Sequence, residues 1–392
     1  MKKKVLVMAS TFPRWKNDTI PLFVYELSKR LTKDFDISVL APSYPNSKDY
    51  EIMDKMKVHR FHYFFHKYEK LAGSGGILPT LKKNKWFYFQ IPFFLLGEFF
   101  ALRKRIKEDN PDIIHAHWII PQGLVAYLNY KISGTPYVVT SHGADIFGLQ
   151  GKISLYLKRK VLQNARNITV VSTAIKNEAL KLDSLLNIGV IPMGVDSKLF
   201  NPNKKDPNLK KKYKINGPFL LFVGRLTEKK GVKYLIEAMP EVIKHNPKTK
   251  LIIIGSGELE QELKDLTKSL NLENNIIFTG AIQNSELPKY YATADIFIGP
   301  SITTEEGDRE GLPVTLMEAM SSGCVVIASD LEGNRDLIND QTGLLVKQNN
   351  SQELTQSILN IINNKKKMNA TNYVVNNFDW KVISKNYRKV LE

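Results

Sequence analysis

The stretch REGLPVTLMEAMSSGCVVIAS, Arg309 to Ser329, sets Glu310 just before a Gly-Leu-Pro turn and Glu318 inside the helix its pattern predicts. A carboxylate beside a helix start is an ordinary electrostatic partner of the terminus. A second one eight residues later asks for a ligand. Gly311 permits close approach of backbone, Pro313 suits the first helical position, and amides near Val314 and Thr315 can face an anion. Upstream, the strand PFLLFVG runs into RLTEKKGV, which puts Arg225 at the strand end and Lys230 just before Gly231. Arginine there can grip phosphate through two donors at once. With a diphosphate at this point, Glu318 lies about one turn further along the helix and can accept both hydroxyls of a ribose. Glu310 can accept hydroxyls from whatever the diphosphate carries. Two carboxylates bracketing a phosphate site suit a nucleoside diphosphate sugar gripped at both ends.

The commoner nucleotide loops are missing. IIIGSGELE supplies Gly255 and Gly257 but has Glu260 where a dinucleotide fingerprint needs its third glycine, and no G-x-x-x-x-G-K-[ST] loop exists. Histidines paired at helical spacing with a third ligand are not expected, nor is an Asp-x-Asp at a strand end. No metal is expected, since Arg225, Lys230 and the helix terminus already offset diphosphate charge. Cys324, the single cysteine, lies in the apolar run CVVIAS and reads as core.

The elements that position these residues follow from apolar runs alternating with helical periodicity. Strands are predicted at KVLVMAS, DISVLAP, KVHRFHYF, DIIHAH, PYVVTSH, NITVVS and IGVIPM. In the second half they fall at PFLLFVGR, KLIIIGSG, NIIFTGA, DIFIGPS, CVVIAS and GLLVK. Helices are predicted near 23–32, 93–108, 124–131, 232–245, 258–270, 286–293, 314–322 and 351–363. Such alternation means α/β domains with parallel sheets covered on both faces. The predicted organisation is a first domain over 1–194, a lysine- and proline-rich linker over 195–218 and a second domain over 219–375. A closing helix over 376–392 returns to the first domain. Two doubly wound domains bind ligands at the carboxyl ends of their strands, and a cleft between them suits a two-substrate reaction.

The 392 residues carry a formal charge of +17. No zinc-finger spacing or RNP-type aromatic motif accompanies it, so nucleic acid is not the expected partner. Residues 55–108 hold twelve basic against three acidic side chains around the aromatic run WFYFQIPFF. That segment is too interrupted by Gln90, Pro92 and Glu98 to span a bilayer. It reads either as a core helix with solvated lysines or as a face resting on an anionic membrane.

E-x7-E in EGLPVTLMEAMSSGCVVIAS, with VGRLTEKKG upstream, resembles the retaining glycosyltransferases of family 4, which have the GT-B fold. The resemblance runs almost end to end. ASTFPR resembles the first strand and loop, PDIIHAHW and VVTSHGADIF resemble later strands of the first domain, VIPMGVDSKLF the interdomain crossing and NFDWKVISKNYRKVL the closing helix. The resemblance implies that Arg225 and Lys230 bind the donor diphosphate, Glu318 the ribose and Glu310 the transferred sugar. It places His142 near that sugar, Ala281 and Ile282 at the base, and the backbone of Gly311, Leu312 and Val314 at the phosphate. One departure stands out: the loop TFPRWKNDTIPLF lacks the Gly-Gly pair common in the family, with Asn17, Asp18 and Thr19 in the region.

The expected protein is therefore a retaining, metal-independent hexosyltransferase without a cofactor. Its donor is a nucleoside diphosphate sugar, UDP-linked in preference to GDP-mannose, and its acceptor a glycan or lipid-linked sugar of cell-surface polysaccharide or lipopolysaccharide. A cytoplasmic location, peripheral at the inner face of the membrane, goes with that reading. The rivals are a GT-B phosphorylase, a sugar-nucleotide epimerase and a non-catalytic nucleotide-sugar-binding subunit.

Overall fold

Continuous apolar runs pair as parallel strands because both sheet faces must be covered. In the computed structural model, which describes residues 2–15, 18, 20–73, 76–364, 368 and 370–392, the run Val5–Met8 is wholly without solvent exposure. The first sheet has eight strands: β1 (Lys4–Met8), β2 (Asp36–Pro42), β3 (Tyr50–Met53), β4 (Met56–Phe61), β5 (Ile113–His117), β6 (Tyr137–Ser141), β7 (Asn167–Val170) and β8 (Ile188–Val190). Their spatial order is β3-β4-β2-β1-β5-β6-β7-β8, parallel except for the β3–β4 edge pair. The second sheet has six parallel strands: β9 (Phe219–Val223), β10 (Lys250–Ile254), β11 (Ile276–Gly280), β12 (Ile296–Gly299), β13 (Val325–Ser329) and β14 (Leu344–Val346). They are ordered β11-β10-β9-β12-β13-β14.

Period-two alternation divides the second sheet between two cores. Phe219, Leu221 and Val223 point into one, which also holds Met317 and Met320 of the Val314–Ser321 helix and Val374 of the Ala370–Phe378 helix. Leu220 and Phe222 point into the other, with Leu235 and Met239 of the Val232–His245 helix and Ile358 of the Ser351–Asn364 helix. Cys324 is buried, as its apolar run implies.

The seam differs from the predicted one. One unit takes the residues up to Met193 together with Ile383–Glu392, and the other takes Gly194–Val382. The stretch 195–218 thus belongs to the second unit, where Phe200, Leu209 and Ile215 are buried in its core. Its lysines gave it a linker's composition because Lys204, Lys205, Lys211, Lys212 and Lys214 lie on the solvated side. The closing segment divides at 382/383 rather than near 375. Val195 bridges to Asp379, and a side chain on Gly194 would meet the Trp380 ring at 2.6 Å, so this crossing is packed into the second unit. Beyond it Tyr387, fully buried in the first unit, donates to the Ile191 carbonyl at 3.0 Å.

Several elements escaped the periodicity, among them the helices Ile77–Lys83 and Ala144–Phe147 and the three that follow. β3 is an edge strand whose Tyr50 and Ile52 face outward, so it has no apolar run to recognise. The Lys152–Asn164 helix buries a lysine: Lys158 has no exposure and donates to the carbonyls of Ile146 and Gly148 at 3.1 and 2.7 Å. The Thr173–Leu182 helix, capped by Ser172 Oγ accepting from the Ile175 amide, also lay outside the predicted set.

Candidate active site

Tight turns deliver the cations to the strand ends. After β9, Leu226 N donates to Ser256 O at 3.0 Å and Leu259 N to Leu226 O at 3.1 Å, locking the Arg225 loop against the loop after β10. This contact explains GSG. A Cβ on Gly255 would collide with Gly224 O and one on Gly257 with Leu226 O, so the two glycines serve loop packing and no dinucleotide is needed to account for them. Further on, the Glu228–Lys230 turn ends in Gly231 at φ +62°, where a side chain would collide with Pro300 O. Ile302 N donates to Lys229 O at 2.8 Å, tying this turn to the loop that leads to Glu310.

Lys229 and Lys230 converge on that glutamate. Lys230 Nζ lies 3.2 Å from Glu310 Oε2, and Lys229 Nζ lies 3.6 Å from Oε1 and 3.3 Å from Asp308 Oδ1. All three of Glu310, Lys229 and Lys230 are nearly buried, with side-chain exposures of 15, 16 and 14%. Burial alone would raise the Glu310 pKa. The Lys230 and Lys229 charges, a hydrogen bond from Lys230 and the Arg225 charge reverse that and hold it down at about 2. Lys230 is lowered from its ordinary value by burial, against the pull of Glu310 and with the repulsion of Lys229 and Arg225. Glu310 Oε1 has no hydrogen-bond partner although it is buried.

The Val314–Ser321 helix begins immediately after this cluster. Pro313 takes the N-cap rather than the first helical position, and no side chain caps the terminus. Gly311 is buried, and Leu312 and Val314 pack partly against the core. Beneath it a small pocket is lined by Lys230, Gly299, Ser301, Pro313 and Thr315, among others. Glu318 Oε2 accepts a 2.8 Å hydrogen bond from the hydroxyl of Tyr291, itself fully buried. Burial raises the Glu318 pKa to about 7, against the opposing effect of that hydrogen bond. At the end of β11, Gly280 adopts φ +71°, after which Ala281 is exposed and Ile282 half-buried against the core.

The second unit therefore brings together Arg225, Lys230, Glu310 and the Gly311–Val314 turn, with Glu318 in the helix they introduce. His142 forms its own cluster in the first unit. His142 Nε2 lies 2.9 Å from His117 Nδ1, and Phe23 and Trp118 flank the ring at centroid distances of 4.8 and 4.9 Å. Burial, with the His115 charge as a lesser cause, pushes its pKa down to about 3, so the imidazole is neutral at physiological pH. The SHGAD turn is held by Asp145, whose Oδ1 accepts from Ser141 Oγ at 2.8 Å and from Gly143 N at 3.1 Å, while Oδ2 accepts from Ile119 N at 2.6 Å. In the loop without the glycine pair, Asp18 accepts from Arg14 Nη2 at 2.7 Å, and the guanidinium lies 4.4 Å from the Tyr44 ring centroid. Asn17 and Thr19 lie outside the described residues.

Sequence reading missed Lys229, Asp308 and Tyr291. Lys229 was signalled by the doubled lysine of TEKKG. Tyr291 lies 27 positions before Glu318, and no local pattern links the two. One expectation needs correction: His62 and His66 are four apart and do share a third group, the Glu69 carboxylate. They escaped notice because a turn following β4, rather than one helix face, brings them together.

Two family descriptions cover the chain between them: Glycosyltransferase Family 4 over residues 22–199 and Glycosyl transferases group 1 over residues 205–377. Among solved structures, a sucrose-phosphate synthase from Thermosynechococcus elongatus superposes with a TM-score of 0.79 at 19% identity, covering 99% of this chain and 98% of the other. The fold is that of the GT-B glycosyltransferases. An uncharacterized glycosyltransferase of Methanocaldococcus jannaschii is 29% identical over 392 aligned residues, covering 94% of this chain and 93% of that one. A UDP-Gal:α-D-GlcNAc-diphosphoundecaprenol α-1,3-galactosyltransferase of Escherichia coli is 29% identical over 299 residues, 71% of this chain and 74% of the relative. The chain belongs to the group 1/family 4 glycosyltransferases.

Proposed function

We propose that the chain transfers a hexose from a UDP-sugar to a hydroxyl of a glycan or lipid-linked acceptor, with retention and without a metal ion at the diphosphate. One observation carries the reading. A nearly buried carboxylate, Glu310, is held between two lysine ammonium groups directly ahead of an uncapped helix start, with a second carboxylate, Glu318, inside that helix. In this reading Arg225, Lys230 and the first-turn amides meet the diphosphate, with Lys229 reinforcing them. Glu318 takes the ribose, and Ala281 and Ile282 border the base. Glu310 faces the transferred sugar, and His142 serves as a neutral hydrogen-bonding group toward it.

The chemical task is to stabilise charge on the leaving diphosphate. Donors already fixed in a nearly dry site do this without reorganising water. The cations supply the positive charge that a metal would otherwise bring, and retention follows from the family resemblance. The Escherichia coli relative, by its name a UDP-galactose enzyme with a lipid-diphosphate acceptor, supports the donor and acceptor classes. A surface in the first unit is consistent with a membrane-borne acceptor. Trp86, Tyr88, Phe89, Phe93 and Phe100 are each 41–62% exposed, with Lys82, Lys83 and Lys85 exposed beside them in sequence. Among the described residues no helix is long and apolar enough to cross a membrane.

A panel of UDP-sugars and GDP-mannose, each with a glycan or lipid-diphosphate acceptor, tests the reading through release of nucleoside diphosphate. A UDP-sugar should support acceptor-dependent release, and proton NMR of the product should show the donor's anomeric configuration. Preference for GDP-mannose would overturn the donor assignment, and an inverted product the retention.

A further inference from the structure

The turn after β4 gathers His62, His66 and Glu69, residues that sugar transfer in the second unit does not use. Glu69 is fully buried, yet only half its carboxylate is spent on the backbone. Oε1 accepts from Tyr63 N at 2.6 Å and from Phe64 N at 3.1 Å, closing the turn. Oε2 faces two imidazoles instead, with His62 Nδ1 at 2.9 Å and His66 Nδ1 at 3.1 Å. The three ligand atoms all lie within 4.8 Å of one another. Ligands around a tetrahedral zinc ion sit roughly 3.3 Å apart when the bonds are near 2.0–2.1 Å, so small movements would admit an ion among them. Both imidazoles are about half exposed, at 46 and 48%, which leaves a path to solvent.

The surroundings resemble those of a metal ligand set. His62 Nε2 lies 3.0 Å from Asp49 Oδ1, the carboxylate–histidine relay that orients metal-ligating imidazoles and raises their basicity. The turn is braced from behind: a Cβ on Gly97 in the Ile91–Asp109 helix would lie 2.6 Å from His62 O, and Gln90 Nε2 donates to Tyr68 O at 3.1 Å. Two nitrogens and one carboxylate oxygen suit borderline divalent transition ions rather than magnesium or calcium.

We propose that His62 Nδ1, His66 Nδ1 and Glu69 Oε2 form a zinc site, with Asp49 orienting His62 and water completing the tetrahedron. Binding displaces the protons that the two Nδ1 atoms share with Glu69, so uptake weakens as pH falls and the imidazoles become charged. The site binds independently of nucleotide and does not rest on the proposed transferase roles.

The test uses the full chain without a histidine tag, freed of metal by chelator and titrated with Zn²⁺ against a chromogenic competitor. One ion per chain should bind, and Co²⁺ in its place should give the visible spectrum of a tetrahedral complex. His66→Gln should lower affinity at least tenfold, and Asp49→Asn about tenfold, through loss of the orienting hydrogen bond. Glu69→Gln keeps an oxygen for the two amides, so its loss of uptake separates ligation from folding. His245→Gln, at an exposed histidine of the second unit, should change nothing. Failure of the wild type to take up one ion, or uptake persisting in a His62→Gln/His66→Gln double variant, would overturn the site.

Discussion

Glu310→Gln keeps the shape of the side chain and removes the charge that two lysines share. The drop of the Glu310 pKa from 4.5 to about 2 corresponds to about 3 kcal/mol of net attraction, over and above the cost of burial. The attraction is reciprocal, so the substitution leaves Lys229 and Lys230 crowded without their common anion. Folding stability should fall by on the order of 1–3 kcal/mol. The same loss makes the cation cluster a better host for another anion. Free UDP, which lacks the sugar that Glu310 is assigned to touch, should bind at least as tightly as to the wild type and up to about tenfold more tightly, equivalent to roughly 1.4 kcal/mol. Turnover should move the other way. A carboxylate beside the developing positive charge of the sugar acts mostly in the transition state, so kcat should drop on the order of a hundredfold or more. Calorimetric titration with UDP, thermal melts with and without UDP, and steady-state kinetics give all three readings. If Glu310→Gln weakened UDP as much as Lys230→Ala does, the carboxylate would be a diphosphate ligand through its lysines and its assignment to the sugar would fail.

Arg225→Ala and Lys230→Ala each remove a charged hydrogen bond worth roughly 1.5–3 kcal/mol, so kcat/KM for the donor should fall about tenfold or more; wild-type donor kinetics in either would sink the phosphate assignment. Glu98 is fully buried, accepts from Gln122 Nε2 at 3.0 Å, and burial raises its pKa to about 8. Because its folded pKa lies above the unfolded one, the proton favours folding fully below about pH 4.5, and the benefit is lost as pH climbs through 8. Glu98→Gln should therefore melt near wild type at pH 5 and higher than wild type at pH 9, and an unchanged difference between the two pH values would refute it. Sedimentation with anionic but not neutral liposomes, reversed by salt, should accompany the exposed aromatic and lysine residues of 82–100. Indifference to both lipids would leave them without a membrane role.

The parallel sheets and most helices were legible because apolar strands buried on both faces have no polar interruptions to disguise them. The residues proposed for the donor were legible for a similar reason: Arg225, Lys230, Gly311 and Glu318 sit beside strand ends and a helix start whose chemistry is local. What escaped depends on distance or on inversion of the usual pattern. Tyr291 reaches Glu318 only through the fold, and Lys158 is a lysine buried where periodicity demands an apolar residue. The 195–218 stretch shows the same inversion at the scale of a segment. Its lysines face water while Val195, Phe200, Leu209 and Ile215 anchor it, and composition averages the two. The partnership of Glu310 with Lys229 also follows from Gly231, whose positive φ closes a turn that sequence marks only as a glycine.

The most direct measurement is a crystal structure of the chain with UDP bound. The account predicts the diphosphate against Arg225, Lys230 and the amides at the start of the Val314–Ser321 helix. The ribose hydroxyls should lie on Glu318, the base beside Ala281 and Ile282, and Lys230 should be shared between phosphate and Glu310. A nucleotide bound elsewhere, or bound here with its ribose away from Glu318, would contradict it.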